Sequence, residues 1–208
     1  GHPLDTEVSI DVNGDYAKMV NGRLFQGNIV LDPFGAQEKH TDWVSYSELG
    51  QPDVNPVSNV VRFVDREGGS ITGLEKIMNR LVVLKEQAMF MINCPANAEP
   101  SSWSQVESIH NIGNIASRGV ISSGDQLFTV FYDGIYKLTA NNLADSDKTP
   151  TERLKITNQI QDIYDDIHDK RDITSAYDQY NNEVLFTWTR GAKNLIKNGS
   201  FHSQKYWD

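Results

Sequence analysis

Two carboxylates at tight turns are the residues best suited to chemistry in this chain: Asp125, which ends Ser122-Ser123-Gly124-Asp125, and Asp133, which opens Asp133-Gly134. Glycoside hydrolysis needs two such groups about 5 to 9.5 Å apart across a cleft. Acidic residues at turns also serve the turn itself. A second acidic group, Asp162, Asp165, Asp166, Asp169 and Asp172 with His168 among them, could hold a metal, but its helical spacing places it opposite the isoleucines, as a solvated face. Asp11-Val12-Asn13-Gly14-Asp15 starts like a calcium loop and then fails. Tyr16 stands where Gly is needed and Gly22 where a bidentate Glu should close the site, so a hairpin turn is expected there. Cys94, the only cysteine, follows Phe90-Met91-Ile92 and reads as a buried, inert thiol. No G-x-S-x-G elbow occurs, and the five His have no evident partners. We therefore expect no catalytic residue, no metal ligand and no cofactor.

The elements that must position these groups centre on Arg118 to Leu138. Val120-Ile121 and Leu127 to Tyr132 are apolar runs parted by the Ser-Ser-Gly-Asp turn, and Asp133-Gly134 leads into Ile135, Tyr136 and Leu138. Alternating apolar positions joined by such turns predict three antiparallel strands, with Gly supplying a positive φ.

Similar units precede and follow. Asn21-Gly22 leads into Arg23 to Val30, Trp43 to Ser47 alternates, and Pro52 and Pro56 mark a loop. Val60 to Val64, Ile71 to Leu74, Arg80 to Lys85 and Ala88 to Ile92 read as strands, with turns at 66–69 and 86–87. Apolar residues at 74, 77, 78, 81 and 84 also fit a helix, but Asn79 sits at a turn position, so strands are preferred. Residues 93–117 read as a loop-rich passage and 141–151 as a polar loop. Ile156, Ile160, Ile163, Tyr164 and Ile167 then recur at three- and four-residue spacing, predicting one amphipathic helix near 152–170, with Glu152 and Lys170-Arg171 matching its dipole. A last hairpin covers Ile173 to Tyr177 and Glu183 to Thr189.

With 208 residues, 38% hydrophobic and 23% charged, the chain can bury a real core. A net charge of −9 argues against a surface built to grip nucleic acid. No apolar run approaches the roughly 20 residues that span a bilayer, and the N-terminus lacks a basic start followed by an apolar segment.

Aligning turn-plus-strand cores gives Asn21 to Phe25, Asn79 to Val83, Gly124 to Phe128 and Asn181 to Phe186. Their starts lie roughly 45 to 60 residues apart, in the range of propeller blades. A blade is a four-stranded sheet that needs neighbours around an axis. The expected fold class is thus mainly all-β, a propeller-like array of antiparallel sheets with one amphipathic helix; an ordinary β-sandwich is the alternative.

The succession NGRLFQGN, WVSYSE, ITGLEKIMNRLVVLKEQAMFMI, Gly113 to Val120 and GDQLFTVFYDGIYKL resembles β-propeller-like structural proteins of tailed bacteriophages, over most of residues 21 to 190. With about four units, the ring is small, is completed by other chains, or is one piece of a longer polypeptide. Asn194 to Phe201, with Tyr206 and Trp207, resembles the first strand of a jelly-roll carbohydrate-binding module. The implied organisation is a propeller-like domain over 1–190, then a linker and that first strand over 191–208.

The resemblance implies a non-enzymatic virion component of a tail, ring or fibre, made in the host cytoplasm. Its partners would be other virion proteins and further copies of itself, with a cell-surface glycan reached through the downstream module. Trp43, Trp103, Tyr132, Tyr136 and Asp133 are the candidate contact residues, the aromatics because such side chains carry much interface energy; core packing is the competing role for each. A carbohydrate-binding lectin or propeller glycoside hydrolase is the rival reading.

Overall fold

The computed structural model describes residues 12–31, 37–63, 69–110, 112–139 and 154–189, with backbone alone at 104–110 and 154. Expectations for Asp11, Val64, the 66–68 turn, the 141–151 loop, Glu152 and the 191–208 segment lie outside these residues.

The described chain is mostly β. Three four-stranded antiparallel sheets follow one another, each with its strands in sequence order. The first holds β1 (Val12–Val20), β2 (Arg23–Leu31), β3 (Glu38–Tyr46) and β4 (Val60–Arg62). The second holds β5 (Ile71–Ile77), β6 (Arg80–Lys85), β7 (Ala88–Asn93) and β8 (Ser104–His110), and the third β9 (Ile121–Ser123), β10 (Gln126–Phe131), β11 (Gly134–Thr139) and β12 (Leu154–Lys155). A two-stranded hairpin, β13 (Thr174–Asp178) and β14 (Glu183–Thr187), ends the series.

The four aligned sequence cores occupy one topological position. Each turn joins the first and second strands of its sheet, and each contains a left-handed residue: Asn21 (φ 50°) with Gly22 (83°), Met78 (53°), Gly124 (61°) and Asn182 (54°). Tight hairpins need this twist, and Gly and Asn adopt it at least cost. Met78 has neither advantage and is exposed.

Stacking of these sheets makes the core. Phe25, Val44, Tyr46 and Phe63 of the first sheet pack against Leu74, Leu81, Val83, Phe90 and Ile92 of the second. The opposite face of the second, Val82, Leu84, Met89 and Met91, packs on Leu127, Tyr136 and Leu138 of the third. The third turns Val130 and Ile135 toward Tyr164, Ile167, Ile173 and Phe186. Because the middle sheet is covered on both sides, Leu81 to Leu84 is a continuous apolar run, all fully buried.

Four local expectations are corrected. Asn13-Gly14 is no hairpin turn: β1 runs straight through it, and Gly14 is needed because a Cβ there would come within 2.9 Å of the Gln26 Cβ. The passage 93–117 contains β8, the fourth strand of the second sheet, whose polar sequence disguises an edge strand. Gly134 does not adopt a left-handed φ; it is small because a side chain would collide with Lys155 and Thr157. The single helix near 152–170 is broken up. Lys155 pairs with Tyr136, a 3₁₀ helix covers Ile156–Ile160, and only Gln161–Asp165 is α-helical (α1). No side chain caps α1. Of the five periodic residues, Tyr164 and Ile167 are buried whereas Ile163 is 43% exposed.

Two substitutions test this packing. Leu84→Ala, at the interface of the second and third sheets, is expected to lower unfolding stability by about 2–5 kcal/mol. Met78→Gly relieves a left-handed non-glycine and is expected to raise it by about 0.5–1 kcal/mol. Denaturant midpoints at unchanged slope measure both.

Candidate functional site

The first strands of successive sheets lie against one another: β5 touches both β1 and β9, and β9 touches β13. Residues just before β9 extend the convergence. Ser175 of β13 donates from its backbone N–H (2.8 Å) and its hydroxyl (3.2 Å) to the Arg118 carbonyl, and Tyr16 of β1 hydrogen-bonds Ser117. First strands of all four units therefore lie in succession against one another.

Glu75 of β5 is the node of that region. Its Oε2 accepts from the Lys18 ammonium of β1 at 2.6 Å and from the Ser122 hydroxyl of β9 at 2.8 Å, so one carboxylate joins three sheets. The Lys76 backbone N–H reaches the same oxygen at 3.2 Å. Its side chain is only 11% exposed, and a carboxylate so placed needs these donors to offset lost hydration. A serine hydroxyl on a carboxylate can also be a nucleophile with its base. Here the accepting oxygen already serves Lys18, and among the described residues no imidazole joins the group. The arrangement ties strands together. Sequence reading passed over it, although a lone Glu among Ile71, Leu74 and Ile77 was a usable signal.

The five candidate contact residues divide into three places. Tyr132 and Asp133 form the β10–β11 turn and Tyr136 follows it in β11; the Tyr136 hydroxyl donates to Asp133 Oδ2 at 2.7 Å and Lys155 Nζ lies 3.3 Å from the same oxygen. Tyr132 is exposed and Tyr136 is buried. Gln161 Nε2 donates to the Asp133 carbonyl (3.0 Å) and to Asp165 (2.7 Å), and the Tyr164 hydroxyl donates to the Phe131 carbonyl. Burial first, then the charges of Asp133 and Asp165, push the Tyr164 phenol up, so it stays a donor that fixes α1 to this turn.

Trp103 is half-buried, packed on Phe25 and Tyr46 with the Arg23 guanidinium 5.6 Å from its ring. Trp43 lies in β3 with His40 stacked on it (centroids 3.7 Å, planes 9° apart) and the Arg62 Cζ 4.1 Å from its centre. Trp43 is thus engaged by two side chains of its own sheet.

The two turn carboxylates do not converge. Asp125 precedes β10 and Asp133 follows it, and six strand residues span roughly 20 Å, beyond the reach of a hydrolytic pair. Asp162, Asp165, Asp166, Asp169, Asp172 and His168 are all exposed, and among the described residues no group of three or more His, Cys, Asp or Glu could hold a metal. No helix among them is long and apolar enough to cross a membrane. Cys94 is buried, and burial pushes its thiol up.

Glu75→Gln is expected to destabilise by about 1–2 kcal/mol, because a charged acceptor of two side-chain donors is replaced by a neutral one. In a double-mutant cycle with Lys18→Met the two effects are expected to be non-additive. A thiol-reactive dye at pH 8 is expected to leave native protein unlabelled and to titrate one thiol after unfolding. No family model matches the sequence, and no curated protein does.

Proposed function

We propose that this chain is a propeller-like scaffold domain of a phage virion, placed in a tail, ring or fibre assembly and acting through protein–protein contacts without catalysing a reaction. The observation that carries this reading is the repeated unit itself: successive antiparallel sheets stacked face to face with their first strands together. Radial sheets of a propeller have that arrangement, since each blade must bury both faces against neighbours. The side chains with chemical potential support a scaffold as well, because Glu75 is engaged by Lys18 and Ser122 and the two turn aspartates are far apart.

The assembly class rests on the sequence resemblance to phage structural proteins. Exposed Tyr132 beside Asp133, outside the stacked core, is the best placed of the candidate contacts for a neighbouring subunit.

Immunogold labelling of purified virions with an antibody to this chain is expected to mark the tail or a tail-associated ring. Absence of label, with the protein detected in the same infected cells, would contradict the reading. Polysaccharide hydrolysis by the chain, lost in Asp133→Asn with folding retained, would contradict it from the enzymatic side.

A further inference from the structure

We infer, independently of the scaffold reading, that the contact between the second and third sheets is an oxidation-sensitive joint: closed to peroxide while the sheets are stacked, and unable to re-form once the thioethers of Met89 and Met91 carry oxygen. The chain has four methionines. Met19 in β1 and Met78 in the β5–β6 turn are 48% and 60% exposed, whereas Met89 and Met91 of β7 are 0% and 3% exposed. The fold thus separates surface thioethers from core ones.

Alternation along β7 decides which contact holds the sulfur. Ala88, Phe90 and Ile92 pack with the first sheet, and Met89 and Met91 pack with Leu127, Tyr136 and Leu138 of the third. Arg80 Nη1 donates to Met91 Sδ at 3.7 Å, so one lone pair of that sulfur is already engaged. Met89 lies opposite Leu84 in the ladder, within the same apolar layer.

A thioether reacts with hydrogen peroxide through a sulfur lone pair. The S–O bond forms as the O–O bond breaks, the sulfur is oxidised by two electrons, and the second oxygen leaves as water with both peroxide protons. The oxidant must touch the sulfur, which a close-packed interior does not allow. Met19 and Met78 are therefore open to it in the folded protein, where a polar product still faces water. Met89 and Met91 are reached only when the second and third sheets part. Their sulfoxides are polar, and polar groups returned to an apolar layer without hydrogen-bond partners oppose its re-formation. Opening of this contact under peroxide is then one-way until the sulfoxides are reduced.

Hydrogen peroxide treatment of the full chain, native and in guanidinium chloride, followed by peptide mapping in a mass spectrometer, tests this. In the native protein Met19 and Met78 are each expected to gain one oxygen, with Met89 and Met91 reacting more than about 100-fold more slowly. For the denatured arm Cys94 is first capped as a mixed disulfide and afterwards released by a thiol reductant, which leaves sulfoxides untouched. Once peroxide and denaturant are removed, the oxidised chain is expected to refold to less than roughly a tenth of the untreated yield. Met89→Leu with Met91→Leu conserves volume and is expected to refold fully after the same treatment. Should that double variant not fold, reduction of the wild-type sulfoxides by methionine sulfoxide reductases decides in its place, with recovered refolding expected and none overturning the inference. Native oxidation of Met89 or Met91 as fast as that of Met78 overturns it. So does full refolding of wild type with both inner sulfurs oxidised, or loss of refolding in the oxidised double variant. Virion labelling is independent of all these results, so failure here is distinct from failure of the scaffold reading.

Discussion

A β-sheet with apolar side chains on both faces cannot stand alone in water, and that constraint governs this molecule. The second sheet meets it most fully. Leu81 and Val83 point to one neighbour, Val82 and Leu84 to the other, and all four are fully buried. At roughly 25 cal/mol per Å² of apolar surface removed from water, this two-sided burial outweighs single polar contacts. Neighbouring sheets must therefore pack against both faces of the second one, and the third sheet in turn packs its far side on Tyr164, Ile167 and Ile173.

Apolar stacking is non-directional, and polar groups at the sheet interfaces fix which strand meets which. Glu75 receives Lys18 from one side and Ser122 from the other, while Lys85, Asn114 and Thr129 reach backbone carbonyls across or beside the contacts. Each is a group whose desolvation would be costly if the sheets slid by one residue. Close approach does the rest: a Cβ at Gly27 of β2 would come within 3.2 Å of Ile71, and one at Gly73 of β5 within 3.2 Å of Val120, so these glycines let adjacent sheets come together.

Much of the strand pattern was legible, because its signals are local. Asn21-Gly22, Gly124 and Asn182 mark turns through their backbone freedom, and turns aligned in sequence occupy one topological position in four units. Polar edge strands were not legible. β8 lacks a clear apolar period, and β12 is two residues long and exists because β11 offers an open edge. The isoleucine spacing of 156–167 was a genuine burial signal for Tyr164 and Ile167, but β12 pairing competes for its start and α1 lasts only five residues. The node at Glu75 was hidden for another reason: its partners Lys18 and Ser122 are 57 and 47 positions away in the chain and meet it only through stacking.

Hydrogen exchange of backbone amides tests the central claim most directly, since it reads burial strand by strand. If the sheets stack as described, the β6 amides of Val82, Val83 and Leu84 exchange only through global unfolding and are the slowest in the chain, with β14 among the fastest strands. Exchange of β6 as fast as that of β14 would contradict the account, because a middle sheet covered on both faces cannot open before the end of the stack does.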